Sequence, residues 1–323
     1  MQSRDDIVDD LQAKMKALNE TLWEDRARWP HVEKWAHQFR SASDLADDEQ
    51  IQMLFLASHF TYFGIREIRA LLRSLFRDIY QYKMVEEIRR QNADTLDRTF
   101  ISDEFKRQLS VTRFLGVGNP SESGSHLLYY FRQENRLGKE YFINSHEVFS
   151  RLGAWRFYLT KVRDPSIERY VFIDDLCGSG SQAAAYSRSL VQPLKRLNPR
   201  ARVCYYTLFA TSFGLSEIKK LRWFDDVATV VELDDSFKCF SDISRIYKNE
   251  QAPFDKGAAA SISRQYGQML EPQFPLGWRD GQLLIGFCHN TPDNTLPIMW
   301  YDGPNHAWTP LFRRFPKHYG WEA

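Results

Sequence analysis

The sequence predicts an α/β chain: a central, mostly parallel sheet with helices on both faces, a helical N-terminal extension and an irregular C-terminal hood. Three observations predict it. Short apolar runs at 111–118 (VTRFLGVG), 168–174 (ERYVFID), 201–210 (ARVCYYTLFA) and 225–233 (DDVATVVEL) alternate with segments of helical period, the pattern of strands buried on both faces. Residues 1–100 instead space their apolar side chains three and four apart. Glycine- and serine-rich tips follow the apolar runs, where ligands of such sheets sit. The expected division is 1–105 for the helical extension, 106–250 for the α/β core and 251–323 for the hood.

In the extension, IVDDLQAKMKAL, HVEKWAHQF, DDEQIQMLFLASHF and IREIRALLRSLFRDIY read as amphipathic helices. Asp47 and Asp48 stand where an N-cap would start the third, and Pro30 and Gly64 mark breaks. Arg66, Arg69, Arg73 and Arg77 fall on one helical stripe. Two readings stay open for them, a solvated face and an anion-facing surface. In the core, the runs are joined by the helical segments HLLYYFRQENRL, AAAYSRSLVQPLKRL and SFGLSEIKKL, which places the tips VGNPSESG, DDLCGSGSQ and ATSFG at one sheet edge. Beyond 250, PFDKGAAASISRQYGQML reads as a helix and GQLLIGFCHNT as a further strand. The tail NTPDNTLPIMWYDGPNHAWTPLFRRFP has no regular period.

Composition narrows the function. Of 323 residues, 43% are hydrophobic and 26% charged, with a net charge of +1, so bulk charge calls for no nucleic-acid or membrane partner. The four cysteines, Cys177, Cys204, Cys239 and Cys288, form no CxxC pair. That disfavours a zinc site and suits free thiols in a reducing compartment. The N-terminus MQSRDDIVDDLQAK has no apolar signal core, and no stretch approaches the roughly 18 apolar residues of a membrane span. A cytoplasmic location without membrane attachment is expected.

The chemistry concentrates in YVFIDDLCGSGSQ, residues 170–182. Asp174 and Asp175 close a buried strand, and adjacent carboxylates there need cations or hydroxyl donors. Gly178 and Gly180 permit backbone conformations that turn successive N–H groups inward as an anion nest. Ser179, Ser181 and Gln182 add donors, and the following helix directs its positive end at the same point. Phosphate-binding groups directly after a carboxylate pair suit a ligand carrying a phosphate and a diol. Cys177 lies close to that helix start, where a thiol pKa can fall; a filler role is the plainer reading.

This segment resembles the PRPP-binding motif of type I phosphoribosyltransferases: a hydrophobic strand, two acids, two mostly apolar residues and a Thr/Gly-rich phosphate loop. The resemblance implies that Asp174 and Asp175 meet the ribose hydroxyls and act in catalysis, touching Mg²⁺ only through a metal–ligand complex. It also implies that Gly178, Ser179, Gly180, Ser181 and Gln182 hold the 5-phosphate. Serine replaces the usual threonine, and Gln182 stands where the family closes its loop with threonine. DLCGSGS is also similar to the DPFCGSGT loop of amino-methyltransferases, but Leu176 replaces their proline and no DPPY or NPPF string occurs.

Together with GVGNPSESGSHLLYYF and NTPDNTLPIMWYDGPNHAWTPLFRR, in this order, the segment resembles the phosphoribosyltransferase-like effectors of bacterial conflict systems, some of them encoded beside retron reverse transcriptases. The resemblance spans roughly residues 50–320. It implies a type I phosphoribosyltransferase fold and an anti-phage role, either by transfer or hydrolysis of a ribose phosphate or nucleotide or by sensing one without turnover. A protein or reverse transcriptase–RNA partner would dock on residues 1–100. Ser121, Ser123, Gly124 and Ser125 occupy the place of the pyrophosphate loop, without its usual basic residue. In the hood, Asn290, Thr291, Asn294 and Arg313 are the candidate contacts to base, ribose or phosphate, with Arg314 an alternative to Arg313.

Overall fold

The computed structural model describes residues 3–40, 46–118, 123–152, 159–249 and 252–315. The chain forms two compact units, one from residues 1–68 and 234–323, the other from 69–233.

The chain begins with α1 (Arg4–Thr21), closed by a reciprocal capping box between Ser3 and Asp6. Its buried Ile7, Leu11 and Met15 recur every four residues, giving the apolar stripe that packs inward. Then come α2 (Trp29–Ala36) and α3 (Ala46–Ala57). Because α3 starts at Ala46, positions 47 and 48 lie inside its first turn and not at its N-cap. The short β1 (Thr61–Phe63) leads to α4 (Ile65–Ser74), a π-helical turn (Leu75–Gln81), α5 (Tyr82–Gln91) and α6 (Arg98–Ser110).

The sheet elements follow: β2 (Thr112–Gly116), α7 (Ser123–Glu134), a hairpin of β3 (Phe149–Leu152) and β4 (Leu159–Val162), and β5 (Arg169–Cys177). Next, α8 (Ser181–Tyr186) runs through a π-helical turn into α9 (Gln192–Leu197). The alternation ends with β6 (Arg202–Thr211), α10 (Ser212–Leu221) and β7 (Asp226–Leu233). The remainder holds α11 (Lys256–Leu270), β8 (Ile285–Phe287) and α12 (Pro297–Trp300).

In the second unit, β2, β5, β6 and β7 form a four-stranded sheet in that order, every pair parallel. The four apolar runs are therefore the four strands. Burial runs without a break from Arg169 to Asp174 and from Val203 to Ala210, so the central strands are covered on both faces. On one face Leu115, Phe172 and Tyr205 pack against Leu190, Leu194 and Ile218 of the crossover helices. On the other, Phe114 meets Tyr80 and Phe131 at ring distances of 5.1 Å each.

In the first unit, the N-terminal helices and the C-terminal segment share a core. Trp23 contacts Phe312 edge-on at 5.2 Å, and Trp35 Nε1 donates to the Ile298 carbonyl at 2.8 Å. The strand expected in GQLLIGFCHNT is only β8, paired in parallel with β1 through Thr61↔Ile285 to Phe63↔Phe287.

Candidate functional site

Strand alternation puts Asp174 on the same sheet face as Phe172 and Tyr205. Asp174 is 5% exposed. Tyr205 Oη donates to Asp174 Oδ2 at 2.8 Å, and the Asp175 amide donates to Oδ1 at 3.0 Å. Burial, and then the neighbouring charge of Asp175, hold the Asp174 carboxyl well above the usual carboxylate range. Burial likewise pushes the Tyr205 hydroxyl up, with Asp174 adding to the effect. Asp175 is half-buried, and its Oδ1 accepts from the Leu176 amide at 2.8 Å. The adjacent carboxylates thus differ in environment: one is locked against a tyrosine, the other stands nearer solvent.

The glycine–serine turn leaves the strand immediately afterwards. Gly180 has φ +73°, the left-handed region that favours glycine, and it caps α8. Ser179 Oγ donates to Ser181 Oγ at 3.0 Å and accepts from the Ser181 amide at 3.4 Å. Gln182 is exposed. The turn is anchored from beneath by α10. Thr211 Oγ1 donates to the Gly178 carbonyl at 2.5 Å and accepts from the Gly214 amide at 2.9 Å. A methyl group at Gly214 would stand 2.5 Å from the Gly178 oxygen and 2.6 Å from that of Cys177, so only glycine allows this helix to meet the loop backbone. Sequence reasoning missed both Tyr205 and Thr211. The signal for Thr211 was present in ATSFG, a threonine between a strand and a helix. At Cys177 burial pushes the thiol up to about 12, in keeping with the filler reading and not with an activated thiol at a helix start.

The second loop leaves the neighbouring strand. Gly116 pairs with Ile173, one residue before Asp174, and the Val117 amide donates to the Ile173 carbonyl at 3.2 Å. Gly118 has φ +96°. Ser121 lies outside the described residues, while Ser123 and Gly124 open α7.

The four C-terminal candidates belong to the first unit, and three of them meet there. Asn290 Oδ1 accepts from the Thr291 and Phe315 amides, each at 2.9 Å. Thr291 Oγ1 donates to the Arg313 carbonyl at 3.0 Å. Asn290, Thr291 and Arg313 line one cleft of about 480 Å³. Asn294 is used elsewhere: it is buried, and its Nδ2 donates to the Trp278 carbonyl at 3.2 Å. Arg314 pairs with Asp293 at 3.1 Å.

Much of the arginine stripe is engaged within the protein. Arg69 and Arg73 both reach Glu134, at 3.1 and 3.4 Å, and Arg77 pairs with Asp78 at 2.7 Å. Among the described residues, no helix is long and apolar enough to cross a membrane.

The PRTase-CE family model matches residues 32–314. Among solved structures, the AQ2163 protein from Aquifex aeolicus is similar at 10% identity, over 63% of this chain and 82% of that one, with a TM-score of 0.29. The xanthine-guanine-hypoxanthine phosphoribosyltransferase of Helicobacter pylori is similar at 11% identity, over 54% and 89%, with a TM-score of 0.27. The adenine phosphoribosyltransferase of Thermoanaerobacter pseudethanolicus is similar at 15% identity, over 41% and 82%, with a TM-score of 0.24. No curated protein matches the chain.

Proposed function

The chain belongs to the PRTase-CE family, and we propose from that premise that residues 174–182 bind PRPP or a related ribose phosphate or nucleotide and act on it at ribose C1. The observation that carries this reading is the loop anchored by Thr211, with left-handed Gly180 five residues after Asp175. The backbone amides that a left-handed glycine turn can offer and the hydroxyls of Ser179 and Ser181 suit a 5-phosphate. Asp175, the more accessible acid, accepts a ribose hydroxyl. Asp174, held by Tyr205, fixes the strand end and so positions Asp175. In the reaction the C1–oxygen bond to pyrophosphate breaks, a bond from C1 to the acceptor or water forms, and the nucleophile gives up its proton.

A divalent cation enters as part of the substrate. Among the described residues, no group of three or more His, Cys, Asp or Glu side chains is placed to hold a metal. Two carboxylates, one of them hydrogen-bonded to tyrosine, fit indirect contact with a Mg²⁺–pyrophosphate complex. Such a complex would bring Mg²⁺ to neutralise the leaving pyrophosphate.

The test is pyrophosphate release from Mg²⁺–PRPP by the purified chain, followed by phosphorus NMR. The parent should release pyrophosphate, and Asp175→Asn should slow it about a hundredfold with an unchanged melting temperature. Equal rates in the two proteins would sink the reading. A second reading, a sensor that binds without turnover, draws on the lack of any basic residue in GVGNPSESG, 116–124. Binding with no product on long incubation would select it. Either activity suits an anti-phage effector, which the three motifs also support through their likeness to conflict-system proteins. Residues 1–100 are the proposed docking region for a protein or reverse transcriptase–RNA partner.

A further inference from the structure

We propose that the cleft of the first unit is a binding site for a nucleoside phosphate, with Arg26 and Arg313 taking the phosphate and Phe315 stacking on the base. The cleft holds about 480 Å³, within the range of small-ligand pockets and sufficient for one nucleotide. Its cations set it apart from the surrounding surface. Arg28 pairs with Asp25, and Arg314 with Asp293, at 3.1 Å each. By contrast, Arg26 and Arg313 line the cleft and form no ion pair with a carboxylate among the described residues. Among the described residues that line the cleft, Asp302 is the single acid. Guanidinium groups are the preferred donors to phosphate oxygens, and two on one cleft make an anion the complementary occupant.

The aromatic component is Phe315, which lines the same cleft and leaves 51% of its surface exposed. An exposed ring beside cations that no described carboxylate pairs is the arrangement that stacks a base while its phosphate is held. The rim bearing both groups is built to stay in place. Asn290 accepts from the Phe315 amide, and Thr291 donates to the Arg313 carbonyl. The polar residues of this motif therefore position the segment, while its arginine and phenylalanine meet the ligand. This inference stands independently of the assignment made to residues 174–182.

Photolabelling the full chain with 8-azido-AMP, followed by peptide mapping, separates the two sites. Saturable label, competed by AMP, is expected in peptides covering 26–31 or 287–315. It should fall about tenfold or more in the Arg26→Ala/Arg313→Ala double variant. Phe315→Ala should weaken competition by AMP while leaving competition by inorganic phosphate unchanged. All three residues are exposed, so the variants should melt with the parent. Label confined to peptides covering 174–182, label undiminished in the double variant, or no saturable label would each overturn the proposal.

Discussion

A carboxyl group on a buried sheet face raises the cost of its own ionisation, and Asp174 answers it with two donors, the Tyr205 hydroxyl and the Asp175 amide. The net direction is still upward. In the unfolded chain Asp174 ionises near the usual value of about 3.9; in the folded protein it keeps its proton to higher pH. The folded state then binds more protons across that interval, so the group's contribution to stability is complete below about pH 4 and is lost as pH rises through the folded value. Asp174→Asn removes the effect. Thermal melts across the acid-to-neutral range should show the variant gaining on the parent as pH rises, and a constant difference would count against the raised pKa. Tyr205→Phe deletes the donor and leaves a buried acceptor short of a partner. It should cost about 1–3 kcal/mol, measured by denaturant unfolding, and push the Asp174 carboxyl higher still.

Among the elements, the four sheet strands were legible from their apolar runs, unbroken in the central β5 and β6 because those are buried on both faces. The β3–β4 hairpin was not: FSRL and LTKV are short and mixed, and in β4 only Val162 is buried. The π-helical turns were equally silent. AAAYSRSLVQPLKRL reads as one helix, yet its ladder shifts over Ser187–Val191, just ahead of the first turn of α9, where Pro193 can lack its N–H. At the site, the acids and the glycine–serine loop were visible in one contiguous string. What pins the loop was not, because Thr211 meets Gly178 across 33 positions of sequence and only through the docking of α10. Thr211→Val should therefore cost about 1–2 kcal/mol as a lost helix cap and weaken ribose-phosphate binding as well. Thr211→Ser should restore both, in paired melting and calorimetric titrations. Recovery of stability without recovery of binding would separate the cap from the loop anchor.

At the scale of the whole molecule, the chain ends are interdependent. The first unit draws its core from both, with Trp23 and Trp35 on one side and Trp308 and Phe312 on the other. Removing α1 and α2 would strip fully buried tryptophans from that core. The truncated chain should lose near-ultraviolet circular dichroism and become readily cleaved within 252–315. If that segment stayed protected, the shared core would be wrong. Assigning a partner to residues 1–100 therefore calls for surface substitutions, since deletion would dismantle the unit being tested. The PRTase-CE match, over residues 32–314, covers parts of both units.

The central claim is that the loop after Asp174–Asp175 holds the phosphate of a ribose phosphate. Calorimetric titration of the full chain with Mg²⁺–PRPP, parent against Gly180→Ala, tests it most directly. Alanine at a left-handed position is strained by about 1–2 kcal/mol, and here its methyl would also stand 3.1 Å from Ile218, so the loop backbone must shift. The account predicts saturable binding by the parent and binding weakened about tenfold or more in the variant. No binding by the parent, or equal binding by both proteins, would contradict it.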